Sequence, residues 1–96
     1  MENIPKNYQD DIIKAVNILK KEGCESVYLF GSMVTGKIHQ NSDIDIGISG
    51  LAPQNFFRVY AYLDKELSNK VDLVDFDLNK DFYSLLNSLG EVVKLG

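Results

Sequence analysis

The stretch LFGSMVTGKIHQNSDIDIGI, residues 29–48, decides how this sequence folds. It starts at the end of the segment Ser26–Phe30, which is rich in β-forming, apolar residues and is typical of a strand buried on both faces. Gly31-Ser32 breaks that strand, and a helical turn is expected over residues 33–36. Residues 43–48 then alternate polar and apolar side chains, which places three isoleucines on one face of a second strand and two aspartates on the other. The stretch predicts strand, turn and strand.

Helical patterns lie on both sides of this stretch. Residues 6–22 carry apolar side chains at three- and four-residue steps, the period of one helical face, and Gly23 follows as a C-cap. A second helical stripe follows Pro53 and indicates a helix packed on the sheet: Phe56, Tyr60, Leu63 and Leu67. A last helix, capped by Asp77 or Asn79, would present four apolar side chains: Phe82, Leu85, Leu86 and Leu89.

Two further strands complete the predicted sheet. Residues 71–76 read as a third strand, and residues 91–95 as a short strand near the C-terminus. The order of elements predicts an α/β (α+β) fold in which helices pack on one face of a small mixed sheet. The other face would then be open for chemistry.

Length and composition limit what the protein can be. With 96 residues, we expect a single domain over residues 1–96, with too little apolar material for a deep substrate pocket. Ten basic against fourteen acidic residues give a net charge of -4, which argues against binding polymeric nucleic acid. The single cysteine, Cys24, excludes an internal disulfide and suits the cytoplasm. Neither an export signal nor a membrane span is expected.

Asp43 and Asp45 form the first candidate site. Two residues apart on a strand, their backbone positions are separated by about 6 to 7 Å, and the two like charges repel. A bound divalent cation would turn that repulsion into coordination, and hard carboxylate oxygens favour Mg²⁺. Taken alone, the pair is more simply two solvated aspartates on an exposed face.

Gly31 and Ser32 form the second candidate site. Backbone N–H groups at a helix start bind phosphate, and a glycine lets the phosphate approach closely. An isolated Gly-Ser is more simply a strand-to-helix turn. The joint pattern carries more weight, because the turn, then Ser42 and the aspartate pair, would place a phosphate site beside a metal site.

These residues resemble the polymerase-beta-like nucleotidyltransferase superfamily, and specifically its minimal nucleotidyltransferases. The matching segments are residues 29–48 and KVDLVDF, residues 70–76. The resemblance implies the nucleotidyltransferase fold and the transfer of a nucleoside monophosphate from an NTP to a hydroxyl, with release of pyrophosphate.

The resemblance also implies roles for individual residues. Gly31 and Ser32 would hold the terminal phosphates, and Ser42 is counted with them as nucleotide-binding. Asp43 and Asp45 would bind Mg²⁺ and act in catalysis. The third carboxylate of the family is expected to match Asp72, which would bridge the metal or accept the proton from the attacking hydroxyl.

Three points stay open at this stage. Asp75 competes with Asp72 for the third position if the strand register is reversed. Many relatives have an arginine in the turn that this sequence lacks, and only Lys37 and His39 lie near enough to supply a positive group. Their roles, and the oligomeric state, with a homo-oligomer among the options, are not decided by the sequence.

Three functions are compatible with the resemblance. Minimal nucleotidyltransferases of this kind resemble the antitoxin of HEPN/MNT toxin–antitoxin pairs, which implies transfer of AMP from ATP to a hydroxyl of a HEPN-like toxin partner. A non-catalytic binding module that neutralises a partner by contact is the first alternative. A small-molecule nucleotidyltransferase is the second.

Overall fold

The computed structural model describes residues 3–96, and four of its strands form one mixed sheet in the order β3-β2-β1-β4. The elements in chain order are α1 (Lys6–Lys21), β1 (Ser26–Phe30), α2 (Ser32–Thr35), β2 (Ile44–Ser49), α3 (Phe56–Glu66), β3 (Val71–Asp75), α4 (Lys80–Ser88) and β4 (Val92–Lys94). A 3-10 turn over Pro53–Asn55 leads into α3. The predicted order of elements is confirmed. One boundary matters for the site, because β2 begins one residue after Asp43.

The strand pairings explain why the sheet is mixed. The central strand β1 is antiparallel to both β2 and β4, whereas β2 and β3 run parallel. A parallel pair cannot be closed by a tight turn, so α3 supplies the crossover between the two strands. The predicted small mixed sheet is confirmed.

Helices α1 and α3 pack on one face of the sheet and bury the main core. The alternation in β2 is confirmed, because its three isoleucines are fully buried on this face. The same core includes Ile12, Ala15, Leu19, Val27, Leu29, Val59, Leu63, Val71 and Leu73. The opposite face therefore carries the polar members of the alternation.

Helix α4 departs from the predicted one-face arrangement. It packs Leu86 against Phe30 and Phe76 on the opposite face, in a second, smaller cluster. Gly47 makes room for this cluster, since a Cβ at that position would overlap the Phe76 ring. The open face of the sheet is consequently narrower than the sequence suggested.

The apolar positions of α4 are more exposed than its helical pattern predicts. Of the four apolar positions predicted for this helix only Leu86 is buried, and the other three are exposed: Phe82 (39%), Leu85 (55%) and Leu89 (59%). Asn79 occupies the N-cap position, but its side chain makes no cap hydrogen bond. Its side-chain amide instead donates to the backbone carbonyl of Asp75. Across residues 3–96, none of the helices combines the length and apolarity needed to cross a membrane.

Candidate active site

The turn after β1 depends on glycine at position 31. Gly31 has φ 73° and ψ -148°, a conformation that L side chains rarely adopt, and a Cβ there would overlap the Asp45 carboxylate. The first hydrogen bonds of α2 run from Val34 and Thr35 to the Gly31 carbonyl, each 3.0 Å long. The amides of residues 32 and 33 precede these bonds and are free to face an anion.

A row of register partners crosses the sheet beside this turn. Asp72 on β3 lies opposite Asp45 on β2, and Asp45 lies opposite Phe30 on β1. Partners in neighbouring strands share a face, with Cβ atoms about 5 Å apart. Two carboxylates and an aromatic ring therefore stand side by side on the face opposite the main core.

Asp43, in the loop that enters β2, forms an acidic row with Asp45 and Asp72. The parallel register of β2 and β3 continues one residue back, which brings Asp43 beside Lys70, and the Lys70 Nζ atom lies 4.0 Å from its Oδ2 atom. Both side chains are well exposed, so solvent weakens this ion pair. Lys70 is nevertheless a cation next to the acidic row.

Asp45 is affected electrostatically by the two other carboxylates of the row. Burial, followed by the charges of Asp72 and Asp43, raises the pKa of Asp45 from 3.8 to about 6. Within residues 3–96 no hydrogen bond reaches the Asp45 carboxylate to offset this repulsion. Nor do three acidic, histidine or cysteine side chains in that part of the chain converge as a preassembled metal cage.

The structure places Asp72, and not Asp75, next to Asp45. Asp75 points into the opposite face, is only 5% exposed, and accepts a hydrogen bond from the Asp77 amide at 2.9 Å. Asp72 is exposed, and its Oδ1 atom lies 3.3 Å from the Tyr60 hydroxyl. The same hydroxyl lies 3.1 Å from the Val71 carbonyl, so α3 reaches around the edge strand to the site.

Ser42 has a defined role in the loop before Asp43. Its buried Oγ accepts a hydrogen bond from the His39 amide at 2.8 Å, and its own amide donates to the His39 carbonyl at 3.0 Å. These bonds shape the turn that leads into β2. The Lys37 and His39 side chains are exposed, and no ion pair or hydrogen bond within residues 3–96 joins either of them to the acidic row.

Sequence reasoning missed Lys70 and Tyr60 as neighbours of the site. Lys70 could have been found from the parallel pairing, because the residue before Val71 must lie beside the residue before Ile44. Tyr60 followed the helical stripe of α3 and was interpreted as packing alone. Its hydroxyl becomes informative only once β3 is known to be the edge strand.

The acidic row lies on open surface. None of the five main cavities of residues 3–96, which have volumes of about 180 to 480 Å³, is lined by Asp43, Asp45 or Asp72.

Known proteins share both the sequence pattern and this fold. The family model described as Polymerase beta, Nucleotidyltransferase matches residues 13–92, which include the turn and the acidic row. No curated protein matches the chain significantly.

Solved structures of toxin–antitoxin complexes are similar. One with AMP-PNP is 34% identical, with a TM-score of 0.55 over 71% of this chain and 56% of that chain. A variant MntA-HpeT complex is 26% identical, with a TM-score of 0.67 over 88% and 71% of the two chains. A tri-AMPylated Shewanella oneidensis HEPN toxin in complex with MNT antitoxin is 27% identical, with a TM-score of 0.53 over 72% and 56%. The chain spans little more than half the length of the first of these.

Proposed function

The chain belongs to the polymerase beta nucleotidyltransferase family, and we propose that it transfers AMP from ATP to a hydroxyl of a HEPN-type partner protein, as an antitoxin. The observation that carries the proposal is the pairing of Asp45 with Asp72 beside the Gly31 turn. Solved neighbours that are toxin–antitoxin complexes support the partner, and the tri-AMPylated toxin among them supports the reaction.

The donor set of the acidic row suits Mg²⁺. Asp43, Asp45 and Asp72 offer only carboxylate oxygens, and burial together with the charges of Asp72 and Asp43 raises the pKa of Asp45 to about 6, so a bound cation would stabilise its charged form. When bound, Mg²⁺ would neutralise the triphosphate and the charge that develops on the leaving pyrophosphate.

The turn after β1 binds the terminal phosphates in this proposal. The backbone amides of Ser32 and Met33 donate to phosphate oxygens, and the Ser32 hydroxyl adds a further donor. Gly31 keeps this surface free of a Cβ and lets the phosphates approach Asp45.

The transfer step forms one bond and breaks one. The acceptor hydroxyl oxygen attacks the α-phosphorus, the bond from that phosphorus to the bridging oxygen breaks, and pyrophosphate leaves. Asp72 accepts the hydroxyl proton, and the Tyr60 hydroxyl at 3.3 Å orients the Asp72 carboxylate. Because the site is open, the partner itself brings the acceptor to the row.

Intact-mass spectrometry of the HEPN-type protein co-expressed with this chain tests the proposal. We expect AMP on the partner with the wild type, none with Asp72→Asn, and undiminished AMP with the control Asp10→Asn, which changes an exposed carboxylate on α1. A partner that is inhibited yet unmodified in the presence of Mg²⁺ and ATP would replace transfer with neutralisation by contact.

A further inference from the structure

We propose that Phe82 of α4 forms a platform on which the base of the bound nucleotide stacks. This inference rests on the proposed function, since it concerns the same nucleotide. It adds a residue that the sequence pattern placed only among the apolar positions of the last helix.

The position of Phe82 follows from the row across the sheet. Phe30 is the cross-strand partner of Asp45, and it runs directly into the Gly31 turn. Phe82 packs on Phe30 with ring centroids 5.5 Å apart and an interplanar angle of 82°. Its side chain is 39% exposed, so part of the ring remains accessible to a ligand.

The two sides of the acidic row differ in chemistry. Toward β3 the row ends in Asp72 and the Tyr60 hydroxyl, which suit a hydroxyl acceptor. Toward β1 it continues to Phe30, on which Phe82 packs, and both of these side chains are aromatic. A triphosphate held between the turn and the carboxylates must direct its nucleoside to one side, and a planar base gains from the aromatic side.

Packing alone would explain part of this arrangement. Phe82 also approaches Phe76, at 6.2 Å between centroids, and so covers the second cluster. A leucine at position 82 would cover the same cluster but would offer no π face. The substitution Phe82→Leu therefore separates stacking from packing.

Phe57 of α3 offers a matched control. It is 82% exposed and packs on Phe56 with ring centroids 5.5 Å apart, at an angle of 87°. Among the described residues, no ring contact joins it to Phe30 or Phe82. Phe57→Leu therefore removes an exposed aromatic ring that is not part of the Phe30–Phe82 pair.

The first experiment compares the binding of ATP and of inorganic tripolyphosphate, both with Mg²⁺, by calorimetry. We expect Phe82→Leu to weaken ATP binding about tenfold and to leave tripolyphosphate binding unchanged. Phe57→Leu should change neither affinity. Circular dichroism checks that both variants keep the fold.

A second experiment uses the absence of tryptophan from the chain. In Phe82→Trp the new indole is the only one, and stacking with a base should quench its fluorescence. ATP should quench this emission, whereas tripolyphosphate should not. The corresponding Phe57→Trp variant should respond to neither ligand.

Three outcomes overturn the inference. ATP binding to Phe82→Leu within about twofold of wild type removes the platform. Loss of partner binding with unchanged ATP affinity assigns the ring to a protein contact instead. If the wild-type chain binds tripolyphosphate as tightly as ATP, it has a phosphate site without a base site. A wild-type chain that binds neither ligand lacks the proposed function altogether.

Discussion

At the scale of single residues, Asp45 carries a charge that the fold does not compensate. Its pKa of about 6 lies above the value of 3.8 that an exposed aspartate has. A raised pKa means that the carboxyl group favours folding at low pH, where it is protonated. That stability is lost as the pH rises through about 6, because the folded state must then hold a repelled charge.

The first prediction is that Asp45→Asn stabilises the metal-free protein at pH 8. After allowance for screening by solvent, we expect a gain of about 1 kcal/mol, or about 4 to 8 °C in Tm. At pH 3, which is below both pKa values, the gain should nearly vanish, because Asp45 is then protonated in the folded and in the unfolded state. Thermal denaturation at the two pH values measures this, and equal Tm changes at both would contradict it.

The second prediction concerns the contact between Gly31 and Asp45. Gly31→Ala should both strain the backbone and displace the carboxylate, whereas Gly36→Ala, at φ 83° with no atom within 4 Å of the added Cβ, should only strain it. Each substitution should cost about 1 to 2 kcal/mol from strain, and Gly31→Ala more.

Nucleotide binding should differ between the Gly31→Ala and Gly36→Ala variants. Calorimetry with Mg²⁺ and ATP should show binding lost in Gly31→Ala, moderately weakened in Ser32→Ala and kept in Gly36→Ala. Retained ATP binding in Gly31→Ala would remove the phosphate site from this turn.

At the scale of elements, α1 fixes the turn that starts β3. The buried Asp11 carboxylate accepts hydrogen bonds from the amides of Ser68 and Asn69, at 3.1 and 2.7 Å, and from the Asn69 side chain at 3.0 Å. Helix α1 thus holds the chain a few residues before Asp72.

The third prediction is that Asp11→Ala costs about 2 kcal/mol, because it leaves these donors without their charged acceptor. Its neighbour Asp10 is exposed, so Asp10→Ala should change the free energy of unfolding by less than about 0.5 kcal/mol. Urea denaturation measures both. Hydrogen exchange should quicken at residues 68 and 69 in Asp11→Ala alone, and unchanged exchange there would refute the link.

For elements with a strong local signal the buried face was predicted from the sequence, whereas for α4 the helix was predicted but not the side that packs on the sheet. The isoleucines of β2 alternate and the stripe of α1 repeats, so the buried face follows from period alone. In α4 the leucines at 85, 86 and 89 all fit a helical face, yet only Leu86 is buried. Leu86 packs on Phe30 and Phe76, and Gly47, a distant residue, leaves the room that the Phe76 ring needs.

The same contrast between local pattern and long-range packing applies to the candidate site. Side chains alternate between the two faces of a strand, so Asp72 and Asp75 lie on opposite faces of β3. Only the pairing of β2 with β3 shows which of them lies beside Asp45. Lys70 and Tyr60 depend on that pairing as well. Asp72 was expected from the resemblance alone, and Lys70 and Tyr60, which strand pairing and packing bring to the row, were not predicted.

At the scale of the whole molecule, the protein is a flat plate. Its extents are 33 × 31 × 19 Å, and its radius of gyration of 12.5 Å is that expected for its length. Within residues 3–96, one face of the sheet bears the layer formed by α1 and α3, while the opposite face bears α4 beside the acidic row. A partner docked on that second face would complete a third layer.

The pairing of β4 with β1 has a consequence for the order of folding. Residues 92–94 meet residues 28–30, so this contact closes the longest loop in the sheet and costs the most chain entropy before other contacts form. We expect β4 to dock after the folding transition state. Val92→Ala, which trims a partly buried side chain of the second cluster, should then speed unfolding about fivefold and leave refolding unchanged in stopped-flow experiments. Refolding slowed to the same degree would instead place β4 in the nucleus.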